Sequence, residues 1–216
     1  MLDRHRSELD RGAAHLGWKV GFGAPAALAR FGLDRPLVGA LTAGRGLASG
    51  AEASVSGWTR GVIEAELAAY LARDIGGAAT AEEALDAVAG WSLAIELADV
   101  DQPPDDVEEV LAGNIYHRHV VLGGRAPADV DPAAAFVTVR RDGVEVASVD
   151  DPRELVGDLG WVLATTASTL AAAGDRLRSG DVVITGSVMP PMPIAAGETW
   201  EVTADGFGPV EVRLVR

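Results

Sequence analysis

Three observations mark this chain as an α+β protein. Segments with strand character outnumber those with helical character. They do not alternate with helices in the regular way a βαβ protein requires, and neither an internal repeat nor a low-complexity linker divides them. With 216 residues, 48% hydrophobic and 23% charged, the chain has a globular composition and enough length for one substantial core, so residues 1–216 are expected to form a single domain. Aromatic residues make up only 5%, which leaves Ala, Val and Leu to fill most of that core.

Taken in order, residues 1–16 predict a short helix, 17–23 a glycine-punctuated extended segment, and 24–31 a brief helix. Residues 32–50, with Pro36, Gly39, Gly44 and Gly46, predict a loop-rich stretch. The segment 62–71 is ambiguous. Its Ala, Glu and Leu favour helix, whereas the alternation of Ile63, Ala65 and Leu67 with Glu64 and Glu66 favours strand. Thr80 to Gly90 predicts a helix opened by a Thr80/Glu83 capping box, 91–97 a strand, and 99–106 an acidic, proline-bearing loop. A hairpin is expected around Asp142-Gly143, a long helix over 155–173 closed by Gly174, a strand over 181–185, and a final strand pair at 198–203 and 210–215.

The chain holds 32 acidic and 18 basic residues, a net charge of -14, and such a surface repels nucleic-acid phosphates and anionic lipid. No cysteine is present, which excludes disulfides, thiolate metal sites and cysteine nucleophiles. The charged start lacks the apolar stretch of a secretory signal, and the most apolar segment, 156–173, is interrupted by Asp158, so no membrane span is expected and the cytoplasm is the expected location. Of the 18 basic residues only Lys19 is a lysine, and Asn114 is the only asparagine. Lysine offers proton chemistry that arginine lacks.

Glu64 and Glu66 are two apart. On a strand both carboxylates share a face and can reach one ion; on a helix they would diverge by about 200°. Glu96 lies in the apolar run Leu93-Ala94-Ile95-Glu96-Leu97, where a lone carboxylate is costly to bury. Three convergent glutamates suit a hard cation such as Mg²⁺ or Mn²⁺. His117 and His119 also have ligand spacing, but Arg118 between them points to an exposed loop or strand edge. The glycines around Lys19 lack the spacing of a phosphate-binding loop.

Gly17-Trp18-Lys19-Val20-Gly21, Pro36 to Leu41, Ile63-Glu64-Ala65-Glu66, Ala94-Ile95-Glu96, Asn114, and Leu177 to Gly186 followed by Ala196-Gly197-Glu198 resemble, in this order, the fumarylacetoacetate hydrolase superfamily. The resemblance is to its branch of 2-keto-4-pentenoate hydratases and 4-oxalocrotonate decarboxylases. It implies a β-roll core flanked by helices, with strand rather than helix at Glu64-Ala65-Glu66. By the same resemblance, Glu64, Glu66 and Glu96 are metal ligands for Mg²⁺ or Mn²⁺ and Lys19 is the active-site lysine. Thr185 and Gly186 match a substrate-facing turn, Asn114 matches a further substrate-site position, and a homodimer is implied. The chain departs from the hydratase pattern at Leu37, where an Asp is usual, at Gly113, where an Asp precedes the Asn, and after Glu96, where Ala98-Asp99 and their neighbours replace Ser-Arg.

The expected function is therefore a metal-dependent lyase acting on a small 2-oxo or enol acid, hydratase-like first. Decarboxylation or C–C hydrolysis of a keto acid on the same site comes next, and a non-catalytic acid-binding protein is the alternative from another class.

Overall fold

Backbone pairing sorts the chain into two sheets. In the computed structural model, which describes residues 1–127 and 129–216, the elements run α1 (Leu2–Asp10), β1 (His15–Gly21), α2 (Pro25–Phe31), β2 (Leu37–Thr42), β3 (Gly46–Ala48), β4 (Ala51–Ser54) and β5 (Gly61–Leu71). Then follow α3 (Ala81–Leu85), β6 (Val88–Asp99), α4 (Val107–Ala112), β7 (His117–Leu122), β8 (Val137–Arg141), β9 (Val144–Val149), α5 (Arg153–Val156) and α6 (Leu159–Ala172). The chain closes with β10 (Val182–Ser187), β11 (Met192–Pro193), β12 (Thr199–Ala204) and β13 (Val210–Val215). The larger sheet has the order β2-β1-β10-β5-β6-β7-β3, with β11 added to β5; the smaller is β4-β13-β12-β8-β9. Strands and helices mix without regular alternation, the α+β architecture the sequence predicts.

The larger sheet has to curl. Its two edge strands, β2 and β3, are joined only by the short turn Ala43–Arg45, so the far edges of the path are held together and the sheet becomes a roll. Strand alternation then gives the roll two unlike faces. Trp18, Val20, Ile63, Ala65, Leu67, Leu93, Ile95 and Leu97 point outward into the main core. There they meet Val139, Trp200, Val202 and Val212 of the smaller sheet and Val162, Leu163, Ala167 and Leu170 of α6. Each Val, Leu or Ile side chain among them contributes about 1.5–3 kcal/mol on full burial. The other face carries Lys19, Glu64, Glu66 and Glu96 among Leu41, Ala68, Ala94, Val120, Val182 and Ile184.

Several boundaries differ from expectation. Helix propensity over 62–71 loses to pairing: β5 is matched residue for residue with β6 from Gly61↔Asp99 to Tyr70↔Gly90. Residues 32–50 are not mainly loop, because they contain β2 and β3, whose short lengths and glycines mask them in the sequence. The Thr80/Glu83 capping box forms, yet its helix ends at Leu85, as residues from Val88 onward are drawn into β6. The first helix stops at Asp10 and His15 already belongs to β1. The long helix over 155–173 breaks at Gly157 (φ 81°), and Asp158 accepts a hydrogen bond from the Trp161 N–H to start α6 afresh. Residues Arg153–Ala172 together are long and apolar enough to cross a membrane, but this break divides them and α6 packs against α3. The hairpin at Asp142-Gly143 forms with both residues in the left-handed region (φ 51° and 79°), as a two-residue turn requires.

Helix α1 is fixed to the roll through a buried polar chain. His5 meets His15 at 3.0 Å, His15 meets Asp181 at 3.1 Å, and the Trp18 indole N–H donates to Asp181 at 3.0 Å. Burial, then the neighbouring His15, hold the His5 pKa below its ordinary value. The folded state therefore keeps His5 neutral where the unfolded chain would take a proton. This contribution is complete above about pH 6.5 and is lost as pH falls through that value towards the folded pKa. Urea titrations between pH 7.5 and 5 are expected to show a steeper acid-side loss of stability in the native chain than in His5→Phe; parallel curves would remove His5 from this role.

Candidate metal centre and active site

The centre is assembled by sheet register. Glu64 and Glu66 share the inner face of β5, and β6 sets Glu96 directly opposite Glu64. A carboxylate oxygen from each of the three comes within 4.8 Å of the others. Lys19 arrives from β1, which lies beside β10, itself next to β5. Its path along the roll exists because residue 39 is glycine: a Cβ there would sit 2.7 Å from Lys19 Cγ and 2.8 Å from Asn114 Oδ1.

Each of the two fully buried glutamates has one oxygen held by the protein and one free. Glu66 Oε2 accepts from the Gly186 N–H at 2.8 Å, while its Oε1 has no hydrogen-bond partner among the described residues. Glu96 Oε1 accepts from Lys19 Nζ and from His117 Nδ1, the latter at 2.8 Å, while its Oε2 has none. Unpaired buried carboxylate oxygens are costly unless something positive meets them. Glu64, half-buried, completes the set. Three convergent oxygen donors with open positions fit a hard divalent cation, and Glu64, Glu66 and Glu96 are the residues that can hold it.

The electrostatics follow from burial and crowding. Burial, then the charge of Glu96, push the Glu64 carboxyl up to about 7. Glu66 is raised well above the usual range by burial, then by Glu96 and Glu64, with Lys19 and the Gly186 N–H opposing. Burial also works to raise Glu96, but Lys19 and His117 outweigh it and hold that carboxyl below its ordinary value. His117 is itself lowered by burial in spite of its bond to Glu96. A neutral imidazole that donates from Nδ1 leaves its Nε2 as a buried, unpartnered acceptor.

His117 corrects the sequence reading: it is fully buried and supports Glu96 instead of lying exposed. His119 is half-buried with its ring against Trp58, so the two histidines do not act as a pair. The other candidates are placed as follows. Thr185 lines the cavity while its hydroxyl donates to the Leu67 carbonyl at 3.1 Å, and Gly186 lines it beside Glu66. Asn114 spends its amide on β2, accepting from Ala40 N at 2.8 Å and donating to Ala40 O at 2.9 Å. It opens a run of three left-handed residues, Asn114, Ile115 and Tyr116 (φ 62°, 52° and 61°), a region that asparagine tolerates but that strains a β-branched isoleucine. The run points the Ile115 carbonyl at Lys19 Nζ, 3.0 Å away. No sequence pattern announces this contact or the bond between His117 and Glu96, since both depend on residues distant in sequence packing together.

A cavity of about 520 Å³ opens onto Lys19, Glu64, Thr185 and Gly186. A second, of about 600 Å³, lies across Asn114, Tyr116 and His117, and none of the three glutamates lines it.

Residues 42–215 match the family model described as fumarylacetoacetate hydrolase, C-terminal. The chain belongs to the fumarylacetoacetate hydrolase family. Among the relatives of this family member is a 2-keto-4-pentenoate hydratase of Burkholderia vietnamiensis, 31% identical over 90% of this chain and 76% of that protein. A 4-oxalocrotonate decarboxylase of Pseudomonas putida is 27% identical over 98% and 81%. Of solved structures, 4-oxalocrotonate decarboxylase from Pseudomonas putida G7, complexed with magnesium and adipate, superposes with a TM-score of 0.92 at 23% identity, covering 99% of this chain and 83% of that one. Fumarylpyruvate hydrolase from Pseudomonas aeruginosa, in complex with Mn²⁺ and pyruvate, gives 0.72 at 23% identity over 94% and 90%. These superpositions establish the shared fold of the family.

Because burial and mutual repulsion raise the Glu64 and Glu66 carboxyls above their ordinary values, a divalent cation competes with protons for them. Binding of Mn²⁺ is therefore expected to release protons at pH 7 and to tighten as pH rises from 6 to 8, as read by calorimetry in buffers of different ionisation heat. At about 100 times the dissociation constant, binding adds about 2.7 kcal/mol and raises the melting temperature by roughly 5–10 °C. Glu66→Gln should lose this gain, and a pH-independent affinity would contradict the assignment.

Proposed function

We propose that this protein is a divalent-metal-dependent lyase of a small 2-oxo or enol acid, hydratase-like, with Mg²⁺ or Mn²⁺ held by Glu64, Glu66 and Glu96. The observation that carries the reading is the pair of unpartnered, buried oxygens on Glu66 and Glu96, clustered with Glu64, which lines a cavity together with Lys19. The hydratase relative at 31% identity supports the reaction class, and two proteins of the same fold bear Mg²⁺ or Mn²⁺ in their solved forms.

When bound, the cation supplies Lewis-acid polarisation of the substrate's carboxylate and 2-oxo oxygens. The three glutamates fix its position, and Gly186, His117 and Lys19 fix two of the glutamates. Lys19 lines the cavity while bonded to Glu96, so it is placed to offset negative charge on a 2-oxo group or to pass a proton there. In the hydratase sequence a dienol acid loses its 2-hydroxyl proton and gains one at the distal carbon, and water then adds across the activated double bond. One second reading, decarboxylation of a keto acid on the same site, needs no positioned water and is supported by the 4-oxalocrotonate decarboxylase relative at 27% identity. A homodimer located in the cytoplasm completes the proposal.

The test supplies 2-hydroxy-2,4-dienoic acids of increasing chain length, from 2-hydroxypenta-2,4-dienoate upward, with Mg²⁺ and follows loss of the dienol absorbance and formation of the 4-hydroxy-2-oxo acid. Chelation should abolish turnover. Lys19→Ala should lower kcat/KM by about 10²–10³, the scale of one lost charge-stabilising donor. Turnover that survives chelation would overturn the reading, and carbon dioxide release from a keto diacid without hydration would replace it with the decarboxylase.

A further inference from the structure

Away from the glutamate end, the 520 Å³ cavity is walled by carbon. Val62 continues β5 outward from Glu64, Ala27 and Phe31 come from α2, Val156 from α5, and Met189 from the segment after β10. The remaining polar groups there are few. The Ser187 hydroxyl is spent on the Met189 carbonyl at 2.6 Å, and Tyr116 contributes a ring and one unpartnered hydroxyl. Arg30 is exposed at the rim, its guanidinium 5.0 Å from the Phe31 ring centre. Among the described residues, Glu64 and Lys19 are the only other charged side chains that line it, and Lys19 is already engaged by Glu96 and the Ile115 carbonyl.

We infer that the substrate is a 2-oxo or 2-hydroxydienoic monoacid bearing an extended apolar tail, alkyl or aryl, instead of a short diene acid or a diacid. The inference rests on the proposed function for its carboxylate end. The acid group and 2-oxo oxygen go to the glutamate end, and the tail lies between α2 and the Val156 and Met189 walls. A second carboxylate on that tail would lose its hydration against carbon and find only an exposed cation, whose ion pair is worth little. A five-carbon acid would leave most of the cavity wet, whereas ligand sites bury most of the ligand surface.

The test is equilibrium binding with saturating Mg²⁺, and with EDTA as control, of oxalate, 2-oxobutanoate, 2-oxohexanoate, 2-oxo-octanoate and 2-oxoadipate. Affinity is expected to rise about fourfold for each added methylene, the value of burying one CH₂. The diacid 2-oxoadipate should bind at least about tenfold more weakly than 2-oxohexanoate, since a desolvated charge replaces buried carbon. Ala27→Glu, which puts a charge into the α2 wall, should flatten the series. Metal-dependent oxalate binding with a flat series, or tighter binding of 2-oxoadipate, overturns the apolar tail and leaves the metal-dependent reading standing. Failure of oxalate to bind with metal overturns that reading, and the tail assignment with it.

Discussion

Three carboxylates crowded into the inside of a β-roll set the terms for everything around them. Two unit charges about 4 Å apart interact by roughly 4 kcal/mol at the effective dielectric of a protein site, so the glutamates cannot all ionise there without positive charge to meet them. The protein meets part of the demand. Lys19 and His117 keep Glu96 below its ordinary pKa, and the Gly186 N–H serves Glu66. The rest is left open: Glu64 and Glu66 stay raised, and one oxygen on each buried glutamate has no partner. A site that is half compensated by its own residues is one tuned to a dication, because full compensation would leave nothing for the ion to do.

That arrangement depends on the roll being built of unequal faces. Bulky residues leave the larger sheet outward, where they join the smaller sheet and α6 in the main core. Inside, Gly39, Ala68 and Ala94 stand beside or opposite the long polar side chains, so Lys19 can lie along the surface and reach Glu96. The strained run 114–116 fits the same logic. Its backbone cost is offset by two hydrogen bonds from Asn114 to β2, and it delivers a carbonyl to Lys19. Asn114 thereby acts on the site through Lys19's position.

What the sequence could reveal divides along the distance over which each signal acts. The alternation at Ile63-Glu64-Ala65-Glu66-Leu67 carries its own two-residue period, so a same-face pair of glutamates was legible once strand was preferred to helix. The capping box at Thr80 is equally local and formed, although pairing with β5 cut its helix short. β2 was hidden because its residues are ordered by hydrogen bonds to β1, not by a pattern of their own. His117 was misread for the same reason. His-x-His looks solvated beside Arg118, and only the pairing of β7 with β6 carries its ring to Glu96.

The departures from the hydratase pattern are coherent with one another in space. Leu37, standing where an aspartate is usual, packs with Ala98, Ile115 and Tyr116 in one apolar cluster, and Ala98 is itself among the residues that replace the usual Ser-Arg after Glu96. The cavity borders this cluster along Ala98, Ile115 and Tyr116, so the polar groups missing from the motif are missing from one continuous wall. Replacing a single polar group with carbon beside an active site leaves its partners unsatisfied, whereas replacing them together creates a surface that an apolar substrate wets better than water does. The chemistry is then confined to the glutamate end. There Lys19 and Glu64 line the cavity; the proposed cation would claim the carboxylate of Glu64, which leaves Lys19 as the side chain placed to pass a proton to the substrate.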